Sequence, residues 1–395
     1  MSQEKKKSNQ TVASLILIIV FFAAVFCGGI LMGKFAASIA KGGSSVEKIV
    51  SLLIMLAAVW AAILFHVAVH EAGHLIFGLL SGYTFSSYRI GSFMWIKENG
   101  KLKLKRYSLA GTGGQCLMVP PDMVDGKFPT VLFNLGGSII NLIISLIFIG
   151  IGLVLRDGSL ISGIMYVFAV MGFISAGTNG IPMRLGTIDN DGYNAYALRK
   201  SPEGMRSFWV QLRANEQSSK GVRLKDMPAE WFEFPEEEHM NNSMAATMAV
   251  FACNRLMDEQ RFEEAEEKMC YYCEQNNAIV GLHKNLLRCD IIYCMIVRNA
   301  DLKETMRMMT GELKTFMKSM KNFPSVIRTQ YAYALIVEKE NDRAEEFKAL
   351  FEKVAKNYPY QSDIESEREL IEIVDKVYET NVNQFEETVS EEIAQ

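Results

Sequence analysis

The sequence predicts a mainly α-helical membrane protein: a polytopic bundle of about four transmembrane helices, a cytosolic β-hairpin loop, and a C-terminal α-helical domain of tetratricopeptide-like character. Three observations carry that prediction. Four long stretches, 8–33, 49–70, 128–155 and 158–183, hold no Asp, Glu, Lys or Arg. Charge divides the chain, with 14 Lys+Arg against 7 Asp+Glu in residues 1–183 and 27 against 38 in residues 184–395. From residue 241 onward the pattern is helical in period and poor in Gly and Pro. Apolar residues at 49% and charged residues at 22% exclude a disordered or collagen-like chain. Neither half offers a compact basic patch, so no nucleic-acid partner is expected.

Residues 1–48 read as a cytosolic tail and a first transmembrane helix. An apolar run of about 20 residues crosses a bilayer as helix. The stretch 8–33 is read as a retained helix, because no small-residue cleavage site stands out and three more spans follow. Residues 49–195 form the membrane core. Their loop 81–127 holds Arg89, Lys97, Lys101, Lys103, Lys105, Arg106 and Lys127, and placing it in the cytoplasm satisfies the positive-inside rule. Both termini then lie in the cytoplasm, of a bacterial cell by expectation. Lys34, Lys41 and Lys48 fall outside, against the rule. Within the loop, Asn99-Gly100 separates two β-prone runs and suits a tight hairpin turn. The hairpin edge can pair with an unwound substrate by strand addition, or rest on anionic lipid. Residues 111–129, with Gly-Thr-Gly-Gly and Pro120-Pro121, read as an irregular covering loop.

Residues 196–240 read as a linker, 241–380 as a cytosolic helical domain and 381–395 as an acidic, solvated tail. Leu256, Ile296 and Ile336 lie 40 residues apart, each ahead of a second helical block. That spacing predicts three stacked helix pairs, although a generic helical bundle fits the same pattern. A cytosolic protein is the partner expected for such a domain. Cys270 and Cys273 form a C-x-x-C without a second ligand pair, so all seven cysteines read as thiols of a reducing compartment.

The second apolar segment contains His66-Val67-Ala68-Val69-His70-Glu71-Ala72-Gly73-His74, an HExxH motif. Positions i and i+4 share a helix face, so His70 and His74 can hold one metal, and Glu71 can serve as general base. Zinc is the usual ion for imidazole pairs. An ionisable side chain inside a span costs roughly 2.5–3.5 kcal/mol on the insertion scale. Three such groups within five residues call for a shared partner, and a metal is one. His66, one turn earlier, reads as support or packing. A catalytic zinc needs a third protein ligand. His239 and His283 lie in the acidic half, so a carboxylate past the fourth segment, Asp189 or Asp191, is the candidate.

Together these residues resemble the site-2 protease family of intramembrane zinc metalloproteases. The string after the motif, Leu-Ile-Phe-Gly-Leu-Leu-Ser-Gly, is similar to the family's. Asn179 and Pro182 match its N-x-x-P, and Asp191-Gly192 its D-G, with a longer interval between them. Gly136-Gly137-Ser138-Ile139-Ile140-Asn141 resembles the family's G-P-x-x-N element. The resemblance spans residues 50–195. It implies Zn²⁺ held by His70, His74 and Asp191, Glu71 as catalytic base, and Asn141 and Asn179 as substrate-binding residues. It also implies a membrane-embedded or membrane-associated peptide as substrate. The rival readings are a non-catalytic membrane scaffold acting through its helical domain, and a metal-handling transporter.

Overall fold

The computed structural model describes residues 44–98, 100–107, 112–155, 159–185 and 188–394, together with Phe26, Gly29, Ile30 and Gly33. The expected first span, 8–33, lies outside the described residues except for those four. The described chain is mainly helical and divides into two units, residues 1–91 with 112–202 and residues 92–111 with 203–395.

The first unit is built on three helices long and apolar enough to cross a membrane: α1 (Ser45–Leu80), α2 (Val131–Val154) and α3 (Leu160–Gly180). Among the described residues, these three helices alone are that long and apolar. Helix α1 begins in a capping box, Ser44 accepting from the Glu47 N–H and the Glu47 carboxylate accepting from the Ser44 N–H at 2.7 Å. At 36 residues it is about 54 Å long, well beyond a bilayer's hydrocarbon core. Leu52, Leu53, Leu56, Trp60 and Leu64 face outward on it. Ala58, Ala62, His66, His70, His74 and Gly78 form a buried stripe at spacings of four. Small residues set the contact with α2, where a Cβ on Gly73 would strike the Gly136 carbonyl and one on Gly136 the Gly73 backbone. Close backbone approach of this kind replaces the hydrophobic drive that lipid removes.

Strands β1 (Thr84–Ile90) and β4 (Gly114–Val119) pair antiparallel, with a bulge between Phe85 and Ser87. The stretch expected as irregular loop is therefore partly strand. Cys116 and Met118 alternate inward along it, and Pro120-Pro121 closes it. Tyr88 Oη donates to the Ala68 carbonyl at 2.6 Å, tying β1 to α1. Arg89 is buried and donates to the carbonyls of Gly91 and Gly114 at 2.7 and 3.3 Å, holding the neck where the chain leaves and returns.

The second unit starts with the hairpin that Asn99-Gly100 predicts. Strand β2 (Phe93–Glu98) pairs antiparallel with β3 (Lys101–Arg106), and Gly100 takes φ +77°. The hairpin's base is seated on the helical part of the same unit, with Tyr107 edge-on to Tyr358 at 5.5 Å and Lys105 Nζ donating to the Pro359 carbonyl at 3.3 Å. The segment expected as linker, 196–240, carries a helix, Pro202–Ser219, and packs Ala214, Met227 and Phe232 against Ala252.

A run of helices follows, with an additional helix, Gly311–Ser319, between the second and third of the expected blocks. Ser243–Asp258 precedes Phe262–Glu274, and Gly281–Val297 precedes Leu302–Met308. Pro324–Ala332, continued by a π-helical turn Tyr333–Glu338, precedes Asn341–Ala355. Gln260, Asn299 and Lys339, each between two of these helices, all take positive φ. The final helix, Gln361–Ala394, runs on through most of the expected tail. Cys253, Cys289 and Cys294 are buried free thiols in the core, and Cys270 and Cys273 are half-buried free thiols on one helix.

Candidate metal centre

Three side chains from two distant segments meet at the buried stripe of α1. His70 Nε2 lies 3.1 Å from His74 Nε2 and 3.0 Å from Asp191 Oδ2, and His74 Nε2 lies 3.4 Å from the same oxygen. Zinc ligands at about 2.0–2.1 Å in a tetrahedron lie about 3.3 Å apart, so the triangle has the dimensions of one tetrahedral face. Donor chemistry agrees. His74 Nδ1–H donates to the Phe133 carbonyl at 2.7 Å, which leaves the Nε2 lone pair pointing at the centre. Two imidazole lone pairs and a carboxylate converging within the bundle fit a divalent cation. The other convergence among the described residues, Glu236, Glu238 and His239, is largely exposed.

The positions are set locally. Gly137 of α2 stands against the His70 ring, where any Cβ would collide with it. Glu71 follows His70 and lies under strand β4, where a Cβ on Gly114 would come within 2.6 Å of its Cγ and 2.8 Å of Oε1. Asp191 is the first residue of helix α4 (Asp191–Leu198). Its neighbour Asn190 seats it, because the Asn190 Oδ1 accepts from the N–H groups of Tyr193 and Met183 at 2.9 and 3.0 Å. The Asn190 Nδ2 donates to the carbonyls of Thr178 and Ile181 at 2.8 and 2.6 Å. That knot folds the chain back over the end of α3. Gly192 then passes the Gly180 carbonyl at a distance that a side chain would not allow. Asp189 sits in the two-residue strand Ile188–Asp189 and is not in the triangle.

His66 and Asn141 form a supporting chain that sequence reasoning read only in part. His66 Nε2 faces the Phe168 carbonyl at 2.8 Å, so Nε2–H donates there. A neutral imidazole then accepts at Nδ1, and a charged one inside a bundle is costly. The Asn141 amide reaches His66 Nδ1 at 3.0 Å, Ser175 Oγ at 2.8 Å and His70 Nδ1 at 3.4 Å. The consistent orientation turns the Asn141 NH₂ to His66 and its carbonyl to Ser175 and His70. His70 Nδ1–H then donates to that carbonyl, and its Nε2 lone pair is free for a metal. Asn141 is wholly buried in this chain. Asn179 Nδ2 donates to the Ser175 carbonyl of its own helix at 3.0 Å. The only sequence signal for Asn190 is its type, a favoured helix N-cap just before a helix start.

A triangle of candidate metal ligands, two from an HExxH on a helix fit to cross a membrane and one carboxylate from a distant segment, is the arrangement of a membrane metallopeptidase site. The family follows from the sequence match. The model of peptidase family M50 matches residues 58–356, and the chain belongs to that family. Peptidases of this family are membrane-embedded and in general zinc metalloproteases. No curated protein and no solved structure matches the chain.

Proposed function

We propose that the chain is an intramembrane zinc endopeptidase that hydrolyses membrane-embedded or membrane-associated peptide segments. The observation that carries this reading is the triangle of His70, His74 and Asp191 with Glu71 beside it. A zinc ion held by those three residues supplies a Lewis acid that polarises a carbonyl and acidifies a water. The chain's own residues do the rest. Glu71 takes a proton from the attacking water and hands it to the leaving amine. Phe133 and Asn141 hold the two imidazoles in the tautomer whose Nε2 atoms face the centre. Burial among the spans keeps bulk water out, so water arrives by a polar path from the cytosolic side. The hairpin Phe93–Arg106 offers its outer edge to an unwound substrate. Asn179 borders the substrate's path, and Asn141, expected to touch substrate, is wholly buried and acts through His70 instead. The termini face the cytosol.

Metal removal tests the reading. In proteoliposomes, a zinc chelator is expected to stop release of peptide fragments from a co-reconstituted substrate span, and added zinc to restore it. Cleavage that continues at full rate in metal-free protein would refute it.

A further inference from the structure

The second unit holds a cavity of about 270 Å³ that the protease reading does not use. Its volume sits near the lower end of small-molecule sites, roughly 300–1,000 Å³. It is lined by the inner faces of Ser243–Asp258, Gly281–Val297 and the start of Gln361–Ala394, among other segments. Four carboxylates reach it: Asp258, Asp290, Asp363 and Glu367. Arg223 takes Asp258 at 3.0 Å through Nε. Arg328 takes Asp290 at 2.6 Å and Glu367 at 2.8 Å while lying 4.1 Å over the Tyr293 ring. Asp363 has no basic partner among the described residues. It lies one helical turn before Glu367 and so shares its face. Burial, then the Glu367 and Asp258 charges, push its carboxyl up to about 7.

Two buried nitrogens without hydrogen-bond partners complete the lining. Arg328 is 1% exposed, and its Nη1 has no hydrogen-bond partner. The His283 Nδ1 is likewise buried without one. A buried guanidinium nitrogen left unpaired is costly, and a cavity wall where one persists is suited to an outside acceptor. Asn254 adds an amide that can donate and accept, and Asn215, whose Nδ2 already donates to the Gln211 carbonyl at 2.8 Å, adds a second.

We propose that this cavity binds a short peptide through a cationic group, such as its free amino terminus, set against Asp363. The peptide's carbonyls accept from Arg328 Nη1 and the asparagine amides. The lining selects this ligand chemistry over simpler ones. A polyamine would satisfy Asp363 but offers Arg328 no acceptor. A free amino acid would bring its own carboxylate against the four already there. Tyr358 lines the same cavity and is the residue against which Tyr107 seats the hairpin. An occupant therefore abuts the foot of the hairpin.

Binding is measured on the full chain in detergent, carrying Glu71→Gln so that no probe is cleaved. The probes are a pool of C-terminally amidated tripeptides with free amino termini and one Lys or Arg, an N-acetylated pool with Glu in the basic position, and spermidine. The basic pool is expected to be retained in equilibrium dialysis and the other two not. The tightest tripeptide is expected to weaken at least tenfold in Asp363→Asn, with the unfolding midpoint unchanged or raised. Retention of no tripeptide, equal retention of the acetylated pool, or retention of spermidine alone overturns the proposal. So does unchanged affinity in Asp363→Asn. Because the readout is binding to a chain lacking its catalytic base, the result is independent of the protease reading.

Discussion

Glu71→Gln is expected to lower peptide cleavage by about 10²–10⁴-fold, the usual contribution of a positioned acid–base group. Bound metal is expected to stay at the wild-type level. The substitution keeps the shape of the side chain and removes only its capacity to take a proton. Glu71 lies beneath β4 at Gly114, so a glutamine fits the same space. It is not one of the three proposed ligands, so metal retention is not expected to depend on it. The measurement is mass spectrometry of peptides released from membranes of cells making either form, with zinc assayed on the purified chains. Equal release by both forms would remove Glu71 from the reaction and favour a scaffold acting through the helical domain.

The second large effect separates two aspartates two residues apart. Asp191→Ala is expected to lose metal by more than the roughly 10–100-fold that a ligand's hydrogen-bond partners contribute. Asp189→Ala is expected to keep it. The reason is geometric: Asp191 Oδ2 is 3.0 and 3.4 Å from the two imidazole nitrogens, and Asp189 is outside the triangle. Asn190→Ala falls between them, at roughly 10–100-fold, because Asn190 touches no metal but holds the loop that carries Asp191. Metal affinity in the three purified variants, measured by competition with a chelating dye, checks the order. Asp189→Ala losing metal while Asp191→Ala keeps it would reverse the ligand assignment.

The parts of this molecule that were legible in the sequence are those written within one element. His70 and His74 share a helix face by spacing alone, and the helical period with few Gly and Pro after residue 241 marks a helical region. The hairpin was legible because its turn lies between its own strands. What escaped depends on contacts between distant segments. Strands β1 and β4 pair across the excursion of β2 and β3, so no local turn announces them. The glycines at 113 and 114 look like loop residues, yet Gly114 is what lets a strand pass directly over Glu71. Asn190 carries no periodic signal, and its four side-chain hydrogen bonds exist only after the chain has folded back over Gly180. The His66–Asn141–His70 chain joins two helices 71 residues apart and is invisible to spacing.

The most direct test of the metal centre is the zinc X-ray absorption spectrum of the detergent-purified chain. The account predicts about one zinc per chain, with two imidazole nitrogens at about 2.0–2.1 Å and oxygen in the rest of the shell. It also predicts that His74→Ala abolishes the signal. A sulfur shell at about 2.3 Å would place the metal on cysteines instead, and a well-folded protein without zinc would contradict the account outright.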